Sequence, residues 1–298
     1  MSVTRIMRLI PAVGLLCAAM VCQAQNEASC KFSLYRLTSG QSDVTHPFGV
    51  NDFNNSVGEL ATEPTPGNFV FRGFIHFSNG TVRLFTAPHS SSTSLRDRND
   101  AGVNIGNFFD TTTQKAEGFV LNGSSFVSVS HPNAPRGTNL TRINKFGSIV
   151  GAWFDSAGSP HGFKLINGTF QSIMFPGSIQ TLPNGINDNG VIVGWYTKPN
   201  TTLFGFVFKN GVYTTLNFPH PGATDLRGIS NAGVIVGVSG EIEQGQSFMR
   251  LPNGAFELIN VPNAFATDVT GISAGGIITG RAFFNSDGTW HGFTGTCQ

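Results

Sequence analysis

Near-copies of the stretch Gly185-Ile-Asn-Asp-Asn-Gly-Val-Ile-Val-Gly194 recur five more times, beginning at Gly49, Asp97, Arg142, Gly228 and Gly271. Successive starts are 48, 45, 43, 43 and 43 residues apart. A period of this length marks a chain of small units that bury their apolar faces against one another, since none can do so alone. Whatever else the chain does, it must first satisfy that repeat.

The unit from Thr181 to Ala223 carries four short strand signals, Thr181 to Ile186, Val191 to Tyr196, Phe204 to Lys209 and Val212 to Phe218, each bounded by Gly, Pro or Asn. Asn187-Asp-Asn-Gly190 joins the first pair and Asn210-Gly211 the second. Asn-Gly accepts the positive φ of a tight hairpin, and the pair recurs at Asn79, Asn122, Asn167 and Asn253, each time after a Gly-Phe or Ser-Phe pair. The last copy has Gly292-Phe293 and then ends, with Cys297 where Asn210 stands in the fourth unit. Its missing fourth strand is found at the other terminus: Cys30-Lys-Phe-Ser-Leu-Tyr35 aligns with Gly211-Val-Tyr-Thr-Thr-Leu216, which puts Cys30 at the place of Gly211. Two cysteines thus replace the two residues of a hairpin turn, and a disulfide between them closes the chain on itself.

This pattern predicts an all-β six-bladed β-propeller of four-stranded blades, the last closed by the N-terminal strand. An open solenoid gives no reason to pair the ends, and a two-sheet barrel does not need equal spacings. Strands such as Val191-Ile-Val-Gly-Trp-Tyr196 are apolar on both faces, as expected of a sheet packed between two others. Gly194 is expected to leave bare backbone for an aromatic ring of the next blade.

Arg5 and Arg8 followed by the apolar run Leu9 to Val21 read as a secretory leader cleaved after Ala24, too short to span a membrane. The predicted division is a signal peptide, 1–24, and a single six-repeat domain, 25–298. Cleavage removes Cys17 and Cys22 and leaves Cys30 and Cys297 in an oxidising compartment, secreted, periplasmic or at the cell surface. Charged residues make up 12% of the chain, and 18 basic residues against 17 acidic ones form no basic stripe. A nucleic-acid partner is therefore not expected; separately, the chain is expected to be a monomer.

The signature G-I-N-x-x-G-x-I-V-G, then H-G-F, then N-G, carried best by Gly185 to Gly194 and His161-Gly162-Phe163, resembles the HAF extracellular repeat of secreted bacterial proteins. The resemblance covers nearly all the mature chain and implies export and repetition, with no activity, cofactor or ligand attached. Asn54, where a Gly is usual, and Asp97-Arg98, in place of Gly-Ile, depart from it.

Several columns of the alignment bear polar groups. One is Thr in all six units: Thr45, Thr93, Thr138, Thr181, Thr224 and Thr267. It is read as structural, a hydroxyl satisfying a loop backbone group. The next column diverges to His46, Ser94, Asn139, Leu182, Asp225 and Asp268. In a closed ring Asp225, Asp268 and His46 are consecutive around the axis, where two carboxylates and an imidazole could hold a hard divalent cation or share a proton. His89, His131 and His220 lie in loops entering first strands, and Trp153, Trp195 and Trp290 lie near the loop joining second and third strands. They are candidates for a ligand face, the indoles for stacking on sugar rings. No nucleophile elbow, zinc helix, phosphate loop or dinucleotide fingerprint is present. The expected function is a non-enzymatic binding module for a glycan or surface protein; the alternatives are a hydrolase or lyase built on Asp225, Asp268 and His46, and a purely structural scaffold.

Overall fold

A computed structural model describes residues 26–298, except 41–42, 66 and 241–244. The predicted leader, with Cys17 and Cys22, lies outside the described residues. Every regular element among them is a β-strand, and no helix is long and apolar enough to cross a membrane. In the fourth unit the strands are Gln180–Ile186, Ile192–Thr197, Phe204–Lys209 and Val212–Thr215. The last is shorter than expected, because the Asn217 side chain, at 3.1 Å from the Gly205 N–H, takes the place of a ladder bond and Phe218 turns inward, 3% exposed.

Consecutive strands pair as antiparallel meanders, forming three sheets of four strands, one of five and one of eight. Six separate sheets were expected, and this is corrected: the first two units share a sheet. Phe71 and Ser92 meet in a parallel bridge between Asn68–His76 and Ser90–Arg98. These strands are nine residues long, against six and seven for their equivalents in the fourth unit, so their ends reach across the gap between units. The four smaller sheets are single blades of an all-β propeller. The first strand of every unit touches the next, and Ala266–Ile272 touches Val44–Val50, so the ring is closed.

Each second strand carries a glycine that permits a close approach, but not to the neighbouring blade. A β-carbon on Gly106 would lie 2.4 Å from the Phe119 ring and 2.3 Å from the Ser94 carbonyl, both in its own unit. Gly58, Gly151, Gly237 and Gly280 face Phe74, Phe163, Phe248 and Phe293 in the same way, and Gly194 is registered opposite Phe206. The expected inter-blade ring at Gly194 is thus an intra-blade one. A bulge in each first strand, as between Pro183 and Gly185, brings that strand's backbone over the glycine. All six Phe side chains are fully buried, each contributing about 1.5–3 kcal/mol by burial. The contact between blades is made instead by the glycine before the Phe: a β-carbon on Gly118 or Gly205 would strike Leu140 or Leu226 of the next unit at 2.7 and 2.8 Å. Where the fifth unit has Ser247, its Oγ donates to the Thr267 carbonyl at 2.7 Å and accepts from the Val269 N–H at 2.9 Å.

The Thr column is structural throughout. All six hydroxyls accept a backbone N–H from the incoming loop: those of Leu37, Ala87, His131, Phe175, Phe218 and Val261, at 2.8 to 3.3 Å. At the chain ends Cys30–Tyr35 pairs with Thr289–Cys297, Cys30 lies opposite Cys297, and the two form a disulfide. A further strand, Asn26–Glu27, pairs in parallel with Phe256–Leu258, so the N-terminus grips both the fifth and the last unit.

Candidate functional site

Side chains alternate along a strand, so residues two apart in a first strand face the same way. Four side chains of the divergent column, and those of the column two further on, line the axis. Near the start of the first strands they enclose a cavity of about 280 Å³ lined by His46, Phe48, Arg96, Leu182, Asp225, Arg227 and Asp268, joined by Trp195 and Arg281 from second strands. Sequence reasoning located His46, Asp225, Asp268 and Trp195. It missed the arginines, although Arg96 and Arg227 stand in register two residues beyond the column already singled out.

The floor is a single side chain. Where four units have Gly49, Gly185, Gly228 and Gly271, the third has Arg142, buried across the axis. Its guanidinium donates to the carbonyls of Phe48 at 2.9 Å, Arg96 at 3.3 Å, Thr141 at 2.8 Å and Thr270. A β-carbon on Gly271 would meet its Nη2 at 2.7 Å, so that glycine makes room for it. Asp97, the second unit's departure from glycine, accepts the Ile143 N–H at 3.0 Å. Burial raises the Asp97 pKa, opposed by Arg142 and by backbone donors. The axis is therefore plugged, and the cavity is blind.

Asp225 and Asp268 do converge, but onto arginine. Arg227 donates to Asp225 at 3.0 Å and to Asp268, Arg281 donates to Asp268 at 3.1 Å, and the Asn184 amide donates to Asp225 at 2.8 Å. Burial drives the Asp225 pKa up, with Arg227 pulling the other way. Burial alone would lower that of Arg227, but the flanking carboxylates outweigh it and carry it upward. His46 forms no ion pair with either carboxylate. Burial, then Arg281, Arg96 and Arg227, hold its pKa well below that of a free imidazole, so it is neutral at pH 7. Among the described residues no group of three His, Cys, Asp or Glu side chains is placed to hold a metal ion. The arrangement suits a polar or anionic ligand better than a cation.

The other candidates do not form one face site. His131, Trp153 and His161 lie in one pile, with 5.3 and 4.3 Å between ring centroids, and His161 pairs with Asp155 at 2.9 Å. Trp290 packs on Phe283 under the Arg281 guanidinium, 4.3 Å from the ring centroid, beside a cleft of about 430 Å³ that exposed Phe265 also lines. His89 and His220 are exposed on separate loops. Trp195 differs from the other two indoles: it opens on the axial cavity, and no aromatic or cationic partner covers it among the described residues.

No family model matches the chain, and no curated protein does. Solved structures do resemble it. A catalytically inactive virginiamycin B lyase from Staphylococcus aureus, bound to quinupristin, is 12% identical with a TM-score of 0.52, over 89% of this chain and 99% of that one. TolB from Acinetobacter baumannii is 13% identical with a TM-score of 0.57, over 83% of this chain and 66% of its own. The Aleuria aurantia lectin, in complex with a fucosylated GlcNAc, is 9% identical with a TM-score of 0.51, over 84% and 91%. At such identities the likeness establishes the propeller fold alone.

Proposed function

We propose that the chain is an exported, non-enzymatic propeller of six four-stranded blades, belonging with the HAF-type extracellular repeats, that binds a glycan or another small surface molecule in its axial cavity. The blade count treats the eight-stranded sheet as two meanders joined at the Phe71–Ser92 bridge. Export is supported by the leader-like N-terminus and by the Cys30–Cys297 disulfide, which suits an oxidising compartment. One observation carries the binding reading: a blind cavity with an uncovered indole, Trp195, on its wall. Blind apolar-and-polar pockets at the convergence of several elements are where small ligands bind. The hydrolase or lyase reading has less support, because both carboxylates it needs are engaged by Arg227 and Arg281.

The test is a thermal-shift screen of residues 25–298 against soluble glycans, repeated with Trp195→Ala. A ligand at 100 times its Kd stabilises the folded state by about 2.7 kcal/mol. A glycan that raises the melting temperature of the parent and leaves Trp195→Ala unmoved supports the reading. A panel that moves neither, or moves both equally, removes it.

A further inference from the structure

We propose that the ligand of the axial cavity is an acidic sugar unit, a uronic acid, whose carboxylate is received by Arg96. This rests on the axial-binding reading and adds the ligand's charge and the residue that reads it.

Four arginines line the cavity, and three are engaged. Arg142 is held by four carbonyls, Arg227 by Asp225, Asp268 and the Val269 carbonyl, and Arg281 by Asp268. Arg96 is different. Its guanidinium lies over the Phe48 ring, with Cζ 3.8 Å from the centroid, and makes no hydrogen bond or ion pair among the described residues. Its Nε is buried without a partner. Stacking occupies the face of a guanidinium and leaves its N–H donors, which lie in the plane of the group, free to point past the ring edge. The result is a pre-oriented fork, ringed by protein and open to the cavity, with a buried donor whose unmet hydrogen bond costs about 1–3 kcal/mol.

The groups facing Arg96 do not supply its partner. Asp225 and Asp268 are bonded to other arginines, and Arg142 adds positive charge beside it. Glu59, registered opposite His46, acts on Arg96 through space without reaching ion-pair distance. His46 contributes a neutral ring. Four arginines against two aspartates leave the lining with excess positive charge. A carboxylate matches one free fork by two parallel N–H···O bonds. A phosphate dianion calls for more than one uncommitted cation, and Arg96 is the one that the described lining offers. Leu182 and Trp195 give the apolar wall that a sugar ring stacks on. The volume of about 280 Å³ is just below the range of drug-sized ligand pockets, about 300–1,000 Å³. It suits one ring, with the rest of a glycan outside.

The experiment is isothermal titration of residues 25–298 with sodium D-glucuronate and D-galacturonate, with D-glucose and D-galactose as neutral counterparts and inorganic phosphate as a simple anion. Each is repeated on Arg96→Met, which keeps the stem on Phe48, and Arg96→Lys, which keeps the charge without the fork. We expect the uronates to bind at least ~10-fold more tightly than the neutral sugars, a difference lost in Arg96→Met and partly kept in Arg96→Lys. Equal binding of neutral and acidic sugars overturns this inference while the axial-binding reading stands. Phosphate binding as tightly as uronate replaces the sugar acid with a simple anion and overturns it too. Silence from every compound overturns both. Should Arg96→Met fail to fold, the acid-to-neutral ratio in the parent and in Arg96→Lys decides.

Discussion

The two ends of the propeller axis are built from the same strands and treat their repeat in opposite ways. At the end away from the cavity the chain repeats itself: the amides of Asn51, Asn99, Asn144 and Asn187 each donate to the backbone carbonyl of the equivalent residue in the next unit, at 3.0 to 3.4 Å. The Asn231 N–H continues to Ala274 at 2.8 Å, and the Gly275 N–H returns to Asp52 at 2.6 Å. This circuit joins every unit to its neighbour. At the cavity end the same strands present His, Leu, Asp, Phe, Thr and Arg in place of one residue six times. Closing a ring reuses equivalent positions, whereas recognising an asymmetric ligand needs different side chains, so divergence within a repeat points toward function and recurrence toward assembly.

Arg142 sits between the two ends, and replacing it breaks both. Arg142→Met leaves four carbonyls without their donor and Asp97 beside an uncharged side chain. Removing one partner of such a buried network costs about 3–5 kcal/mol. At about 2–4 °C per kcal/mol for a domain approaching this size, calorimetry should show a fall of roughly 6–20 °C. A drop under about 2 °C would mean that the plug carries no part of the ring's closure.

Asn187→Ala tests the uniform end alone. It removes one link of the circuit and the acceptor for the Val191 N–H at 3.0 Å, at a cost of about 1–3 kcal/mol. Ligand binding at the other end should be unchanged, because the side chain lies below the plug. If Asn187→Ala shifts ligand affinity as much as stability, the two ends are coupled and the contrast between them fails.

The repeated features were legible in the sequence and the divergent end only in part. Periodicity placed the strands, the disulfide and the Thr column, since each recurs or pairs with a gap in the recurrence. Even the Asn54 departure resolves: the turn needs a positive φ there, 75° at Gly190, and Asn54 supplies 57°. Three things were harder to read. Gly194 faces its own blade's Phe206 because a bulge in the first strand displaces the backbone, and bulges leave no mark in a column of residue types. The merging of the first two sheets depends on strand length, set by packing at the edges. The pairing of Asp225 and Asp268 needed the arginine column two residues on, a period-2 signal present in the sequence but masked by Phe48, Thr141, Asn184 and Thr270 sharing it. Arg142 and Asp97 were visible as departures from glycine, yet their convergence on the axis required the ring.

The smallest expected effect concerns protons at the divergent end. His46 has its pKa depressed in the folded chain, so the neutral form is the one the fold favours. Its contribution is present in full above the unfolded imidazole value, about 6.5. It is lost as pH falls below that value toward the folded one, at no more than about 1.4 kcal/mol per pH unit. His76 and His131 are depressed in the same direction by burial, so all three add to acid destabilisation. His46→Gln should therefore melt less steeply with falling pH than the parent between pH 7 and 5, with His76 and His131 contributing to the slope that remains. Parallel curves for parent and variant across that window would show that His46 is protonated as readily in the fold as outside it. Burial, the larger cause, and the neighbouring Arg281, Arg96 and Arg227 would then together leave the ring unperturbed, contrary to its position in the cavity wall.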